Sequence, residues 1–295
     1  MKKWFTLIVL IFVSCTNPKP PNWYIQTPKD NQNYFYASAE SYSKQNAIKN
    51  ALNDIASRIN VKISSNFVIN KGIHNQKTYN EIFQQINAQV SNINFNNYEI
   101  LKIDKENDKY YVLIRINKQK LINNLKTKIN IELKKIDFNE NSPIKRVIYS
   151  YNILYKLKKI KSDIFILESL GVNISNYIAK IENLKKIALN IIKTTEFNIV
   201  TNRYKNQSIE IFSKYLIISK KAKNLIKINI SIQKYHLFND YIIKGKTTII
   251  LDKFYSLTFL GKSITSYKEA EAFAKEEYKL RLLKLLKTLF KINVF

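Results

Sequence analysis

Cysteine, histidine, glycine and methionine are almost missing from this chain of 295 residues, which carries one Cys, two His, four Gly and one Met. A single cysteine excludes an internal disulfide and any cage of thiolates around a metal. His74 and His236 lie far apart in the chain, so no multi-histidine metal site is expected, and no metal or cofactor with it. Gly72, Gly171, Gly245 and Gly261 are isolated from one another, which argues against a glycine-rich loop cradling phosphate. Neither a Gly-x-Ser-x-Gly elbow nor a His-Glu-x-x-His pair occurs. Glu276 and Glu277 are adjacent, and adjacent residues do not share a helix face, so they are a poor acid/base pair. The expectation is that the chain is not an enzyme.

Acidic residues are also few, 22 against 49 Lys+Arg, leaving a formal net charge of +27. Only Arg58, Arg115, Arg146, Arg203 and Arg281 are arginine. The excess is spread along the chain, among many Asn, Ile, Tyr and Phe, a mixture that an AT-rich genome would encode. Two functional readings of the charge compete with that one. Anionic lipid or polysaccharide is the first; nucleic acid is the second, disfavoured because no arginine-rich or stacking motif is present. Hydrophobic residues at 45% and aromatics at 13% are ample for a packed core, so global disorder is excluded.

The front end addresses the chain to an envelope. Lys2 and Lys3 precede an apolar run from Trp4 to Val13, too short to span a bilayer, which needs about 20 residues. It suits the core of an export signal. The run ends at Val13-Ser14-Cys15, which resembles the lipobox of bacterial lipoprotein signals, with Phe12 in place of the usual leucine. The only cysteine falls where that reading needs it. The resemblance implies a signal peptide over 1–14 and a diacylglycerol thioether on Cys15, with a further acyl chain such as palmitate on the new amino terminus. Two or more chains hold a protein stably on a membrane. Residues 15–22, with Pro18, Pro20 and Pro21, form a stiff tether. Thr16 is not the aspartate that retains such proteins in the inner membrane, so the outer membrane is expected, with the domain facing either periplasm or exterior.

Residues 23–137 read as a small α+β domain. Tyr34 to Glu40 is a strand. Ala47, Ala51, Ile55 and Ile59 recur every four residues after Ser43, the mark of an amphipathic helix. Val61, Ile63 and Ser65 alternate with polar residues and predict a second strand. Tyr79 to Ile93 fits either a helix or extended chain. Tyr98 to Ile103 and Tyr110 to Ile116 flank a turn at Glu106-Asn107-Asp108 and form a hairpin. Leu121, Leu125, Ile129 and Leu133 then mark a helix to about Asp137. The expected order is β-α-β-(α)-β-β-α, a small antiparallel sheet with helices on one face.

Pro21-Asn22-Trp23-Tyr24 after a lipidated cysteine, the Tyr34-Phe35-Tyr36 strand, the Ala47 to Ile59 helix, Val61 to Ser65 and Tyr110 to Ile114 together resemble the lipoprotein-20 family, over about residues 21–137. Members often have glycines where this chain has Ala37 and Ala39. The resemblance implies an envelope lipoprotein without known enzymatic activity. Some relatives form a disk or collar around the flagellar basal body; others are surface antigens. For Trp23 and Tyr24 two readings stand: a plug at the edge of the core, or a contact with the lipid interface or a protein partner.

Residues 138–195 predict a helical hairpin. Ser142-Pro143 starts it, and Gly171 separates the stripe Val147, Tyr151, Leu154, Ile160, Ile164 from Ile174, Ile178, Ile181, Leu184, Ile187. Two helices cannot bury their apolar faces alone; they pack within the chain or against another copy. Residues 196–295 predict a β-then-helix domain. Ile226 to Ile232 alternates as a strand, His236 to Asp240 is the turn, and Tyr241 to Leu251 and Phe254 to Leu260 are further strands. Ala270, Ala274, Tyr278 and Leu282 line a last helix. The series Ser266, Ala270, Ala274, Tyr278, Leu282 has the spacing of Ser43, Ala47, Ala51, Ile55, Ile59, by repetition or by coincidence.

The function expected from all this is that of a non-catalytic interaction or assembly module on the envelope, with an unidentified protein partner or its own copies. A flagellar accessory component is the alternative within that class, and a cell-wall or polysaccharide hydrolase the alternative outside it.

Overall fold

The computed structural model of the chain describes residues 19–71, 84 and 97–291, the side chains of 64–71 excepted. The readings made for Cys15, for His74 and for Tyr79 to Ile93 lie outside the described residues. The chain divides into two compact units, Met1–Leu125 and Lys126–Phe295.

The first unit opens with a single turn of helix, α1 (Asn22–Ile25), started by Pro21, whose carbonyl accepts from Tyr24 N at 2.8 Å. Strand β1 (Tyr34–Ser41) follows, then helix α2 (Lys44–Lys71) and the hairpin of β2 (Tyr98–Glu106) and β3 (Lys109–Asn117). The sheet runs β1-β3-β2, antiparallel throughout. Asn107 and Asp108 both take positive φ, 46° and 61°, which is what a two-residue hairpin loop of the favoured hand requires. Helix α3 (Lys118–Lys134) leaves β3 directly, with Asn117 Oδ1 accepting from Lys120 N at 2.9 Å as its cap; the boundary between the units falls within it.

Ser43 caps α2 through Asn46 N at 3.2 Å. Ala47, Ala51, Ile55, Ile59 and Ile63 are all buried, and α2 packs on β1 and β3. Small alanines at two of those positions let the helix axis approach the sheet. The strand predicted at Val61 to Ser65 is instead the continuation of α2. In a strand Val61 and Ile63 would share a face; here Val61 is exposed and Ile63 buried. The alternation was a by-product of the four-residue spacing from Ile59 to Ile63.

Strand β2 holds a bulge. Ile100 pairs with Ile114 and Lys102 with Leu113, leaving Leu101 extra. The face bearing Val112, Ile114 and Ile116, all buried, therefore receives Ile100 and, past the bulge, Ile103, which stands opposite Val112.

The second unit contains the end of α3, the hairpin of α4 (Pro143–Ser169) and α5 (Ser175–Thr194), and a five-stranded sheet. Ser142 sits at the start of α4 with Pro143 in the first turn, but its side chain makes no capping bond, contrary to the role expected of it. Gly171, at φ 85°, ends α4. Val172 N donates to Leu167 O at 3.1 Å and Gly171 N to Glu168 O at 2.9 Å, the paired bonds of a Schellman turn.

The sheet comprises β4 (Glu196–Thr201), β5 (Ile217–Ile218), β6 (Asn224–Leu237), β7 (Asp240–Ile250) and β8 (Phe254–Ser263), in the order β5-β4-β6-β7-β8. Strand β4 is parallel to both neighbours, with helix α6 (Lys205–Phe212) in the crossover; the other pairs are antiparallel. The last helix, α7 (Tyr267–Phe290), packs on β8 and β7. Its Ala270, Ala274, Tyr278, Leu282, Leu286 and Phe290 form one core with Phe197, Ile228, Ile243 and Phe259 of the sheet and with Ile144 and Val147 of α4. Ser266 caps α7 through Glu269 N at 3.3 Å, as Ser43 caps α2. The turn expected over His236 to Asp240 is shorter: His236 is paired with Tyr241 inside the ladder, and only Phe238 and Asn239 turn. Taken element by element, the fold is α+β: a small three-stranded antiparallel sheet, a helical hairpin, then strands and a closing helix.

Asp163 of α4 is buried and meets Lys128 Nζ at 2.9 Å. Burial pushes its carboxyl above the usual carboxylate range, with Lys128 pulling the other way. Because the folded state holds the proton more tightly than the unfolded chain, stability falls as pH rises through the shifted value. Asp163→Asn is accordingly expected to match the wild type at acidic pH and to become the more stable chain, by about 1 kcal/mol, at neutral pH. Urea midpoints at the two pH values measure this; a gap that closes with rising pH would refute it.

Candidate functional site: an aromatic clamp across the first sheet

One face of the first sheet is covered by α2; the other carries α1. The register aligns Glu40 of β1, Tyr111 of β3 and Asp104 of β2 in one row across the three strands. Tyr24 of α1 stands edge-on to the Tyr111 ring, with centroids 4.9 Å apart and planes at 72°. Trp23 is edge-on to Tyr24 at 6.5 Å, and its Nε1 donates to Asp104 Oδ2 at 2.9 Å. Thr27 Oγ1 donates to Tyr24 O at 3.1 Å and also bonds the Ser38 hydroxyl. One turn of helix thus grips all three strands, and it does so immediately after Pro20-Pro21.

The electrostatics of the row follow from its packing. Glu40 Oε1 accepts from Lys109 Nζ at 2.7 Å, and this hydrogen bond holds the Lys109 ammonium above its usual range. Burial, then the Glu40 charge, pushes both the Tyr24 and the Tyr111 hydroxyl up. Both tyrosines are thus kept neutral and serve as packing surfaces. The two carboxylates are engaged by different donors, Glu40 by an ammonium and Asp104 by an indole.

Trp23 and Tyr24, chosen from sequence, are therefore brought together and half-buried. Asp104, Glu40 and Lys109 were not singled out. Asp104 could have been found, because the two-residue turn at Asn107-Asp108 sets it opposite Tyr111 before the bulge at Leu101 is reached; Glu40 needed the pairing of β1 with β3.

Elsewhere the chemistry is sparse. Among the described residues no group of three or more His, Cys, Asp or Glu side chains could hold a metal ion. Glu276 and Glu277 of α7 engage separate cations, Lys279 at 3.4 Å and Arg281 at 2.7 Å. His236 is exposed and lies against Tyr241, centroids 4.5 Å apart. A groove of about 360 Å³ on the outer face of the second sheet is lined by Val200, Lys227, Asn229, Thr248 and Ile250, and by no carboxylate, histidine or cysteine. Among the described residues no helix is long and apolar enough to cross a membrane.

Comparison with known proteins bears on the clamp region. Residues 21–117 match the model of the LPP20 lipoprotein family, the family suggested by the sequence. No curated protein matches the chain. Among solved structures, the crystal structure of the secreted protein HP1454 from the human pathogen Helicobacter pylori is similar at 19% identity. That match covers 86% of this chain and 97% of that one, with a TM-score of 0.47.

Proposed function

We propose that the chain, whose residues 21–117 match the LPP20 lipoprotein family model, is a bacterial envelope lipoprotein, acylated on Cys15, held on the outer membrane, and acting as a non-catalytic interaction or assembly module. The observation that carries this reading is one of position. The family match starts at residue 21, the last proline of the spacer that follows the lone cysteine. The spacer then runs straight into α1, so the clamp fixes the direction in which the tether leaves the sheet. A tether attached to a frayed end would let the domain tumble; one attached to a turn gripped by three strands sets which face looks away from the bilayer. Trp23 and Tyr24, with exposed Ile25 beside them, provide the margin for contact with a protein partner or with the lipid interface.

Mass spectrometry of the protein from its native host tests this. The mature chain is expected to begin at Cys15 carrying diacylglycerol and an amide-linked acyl chain. Cys15→Ser is expected to leave the signal uncleaved and to remove incorporation of labelled palmitate. A mature chain with an unmodified thiol would overturn the proposal.

A further inference from the structure

The end of the β6–β7 hairpin violates two preferences at once. Phe238 has φ 54°, a left-handed conformation that favours glycine or asparagine and is a true outlier for a bulky residue. Its side chain is also 97% exposed. An asparagine stands next to it at 239, where φ is not positive. Exchanging the two would relieve the backbone and hide nothing of value from water. Strain of this kind points to a use for the residue that bears it.

The tip is not a loose loop. Strands β6 and β7 pair without a break from Lys227–Ile250 to Leu237–Asp240. On one face His236 lies against Tyr241 at 4.5 Å, and Tyr241 against Tyr267 at 5.0 Å. Phe238 is therefore held out on a braced support.

Its neighbours are apolar and cationic. Leu237 is 56% exposed and Ile264 77%; Ile264 follows Ser263, which pairs with Tyr241 at this end of the sheet. Exposed Lys234, Lys244, Lys262 and Lys268 lie along the strands and the start of α7 behind the tip, Lys234 over the Tyr267 ring at 5.6 Å. The carboxylates here are both engaged, Asp240 by Lys262 at 2.7 Å and Glu269 by the Ser263 hydroxyl at 2.5 Å. A protruding apolar point flanked by lysines is unlike a protein interface, where lysine is depleted. It fits a bilayer surface. Lysine stems lie along apolar surface while their heads reach phosphate, and apolar side chains enter the boundary between head groups and acyl chains.

We propose that the β6–β7 tip is a membrane-contacting foot: Phe238, with Leu237 and Ile264, enters the interfacial layer of an anionic bilayer, and Lys244 and Lys268 meet the head-group phosphates. The foot is independent of the acyl group on Cys15 and of the clamp, both of which belong to the first unit, whereas the foot belongs to the second.

Depth measurement tests the foot apart from the anchor. Full-length chain with Cys15→Ser and Asn239→Cys carries one thiol, at the tip, for a nitroxide label. The apolar run at the front end stays in place and tethers every variant alike. With vesicles rich in phosphatidylglycerol, the label is expected to lose most of its accessibility to a water-soluble nickel chelate and to gain accessibility to oxygen. With phosphatidylcholine vesicles, or with Phe238→Asn added, it is expected to stay aqueous. Phe238→Asn should keep or raise the urea midpoint, because it relieves the backbone, so loss of fold does not explain loss of insertion. A label that remains in water on phosphatidylglycerol vesicles overturns the proposal, as does a label already shielded without vesicles, which would mean that the tip meets another copy.

Discussion

Gly261→Ala is expected to destabilise the second unit by about 3 kcal/mol or more. A Cβ at that position would stand 1.9 Å from the carbonyl oxygen of Ala270 and 2.4 Å from the nitrogen of Ala274. These are main-chain atoms of α7 and cannot rotate aside. The helix would have to lift from β8, and Tyr278, Leu282 and Leu286, all fully buried on the same stripe, would lift with it. Gly245→Ala is the informative comparison. There the added atom meets the ring of Phe259 at 1.9 Å, a side chain wedged between Tyr204 and Tyr278 at 5.9 and 5.5 Å. A ring can give more than a helix backbone, so the loss is expected to be smaller, about 2 kcal/mol. Urea unfolding followed by near-ultraviolet circular dichroism measures both. A Gly261→Ala midpoint equal to that of the wild type would show that α7 does not lie this close to the sheet.

Tyr278→Ala is the second large effect, expected at about 4 kcal/mol, the range of aromatic-to-alanine truncations in cores. The ring is completely buried against Tyr204 and Phe259. Tyr278→Phe separates the ring from the hydroxyl, which lies 2.7 Å from Ser208 Oγ. Ser208 keeps its bond to Tyr204 O at 2.9 Å, so that change is expected to remove only about 1 kcal/mol. The pair also differs in alkali. Burial pushes the Tyr278 hydroxyl from 10.0 up to about 12, against the pull of Ser208. The unfolded chain therefore loses this proton first, and the stability it contributes is complete below pH 10.0 and lost as pH rises through about 12. Tyr204 and Tyr255, also raised to about 12 by burial, add to the same slope. Tyr278→Phe should make alkaline unfolding less steep. An unchanged slope would mean that the hydroxyl ionises without unfolding the core.

What the sequence disclosed and what it hid divide along physical lines. The stripes of α2 and α7 were readable because four-residue spacing is local and repeated; every residue named on them is buried. The hairpin at Asn107-Asp108 was readable because both residue types tolerate positive φ. The stretch after Ile59 was misread because Val61 and Ile63 satisfy a two-residue period and a helical period alike over so short a span. His236 was assigned to a turn that begins only after Leu237, and the actual tip carries a phenylalanine that no turn preference would select. The parallel pairing of β4 was not visible, since it depends on α6 crossing back over the sheet. In the clamp, Trp23 and Tyr24 stood out by composition and position. Their partners did not, because finding Asp104 and Glu40 requires the strand register.

The extra residue at Leu101 acts as a phase shift in the half of β2 that lies away from the turn. Counted from the turn without a bulge, Ile100 would fall opposite Arg115 and Glu99 opposite Ile116, each turned to the other side of the sheet. A carboxylate would then stand beside a buried isoleucine and an isoleucine beside a guanidinium. The bulge instead sets Glu99 opposite Arg115, whose Nη2 it meets at 2.7 Å, and Ile100 in line with Ile114. That ion pair is therefore sensitive to the bulge being kept, and far less to which residue occupies position 101.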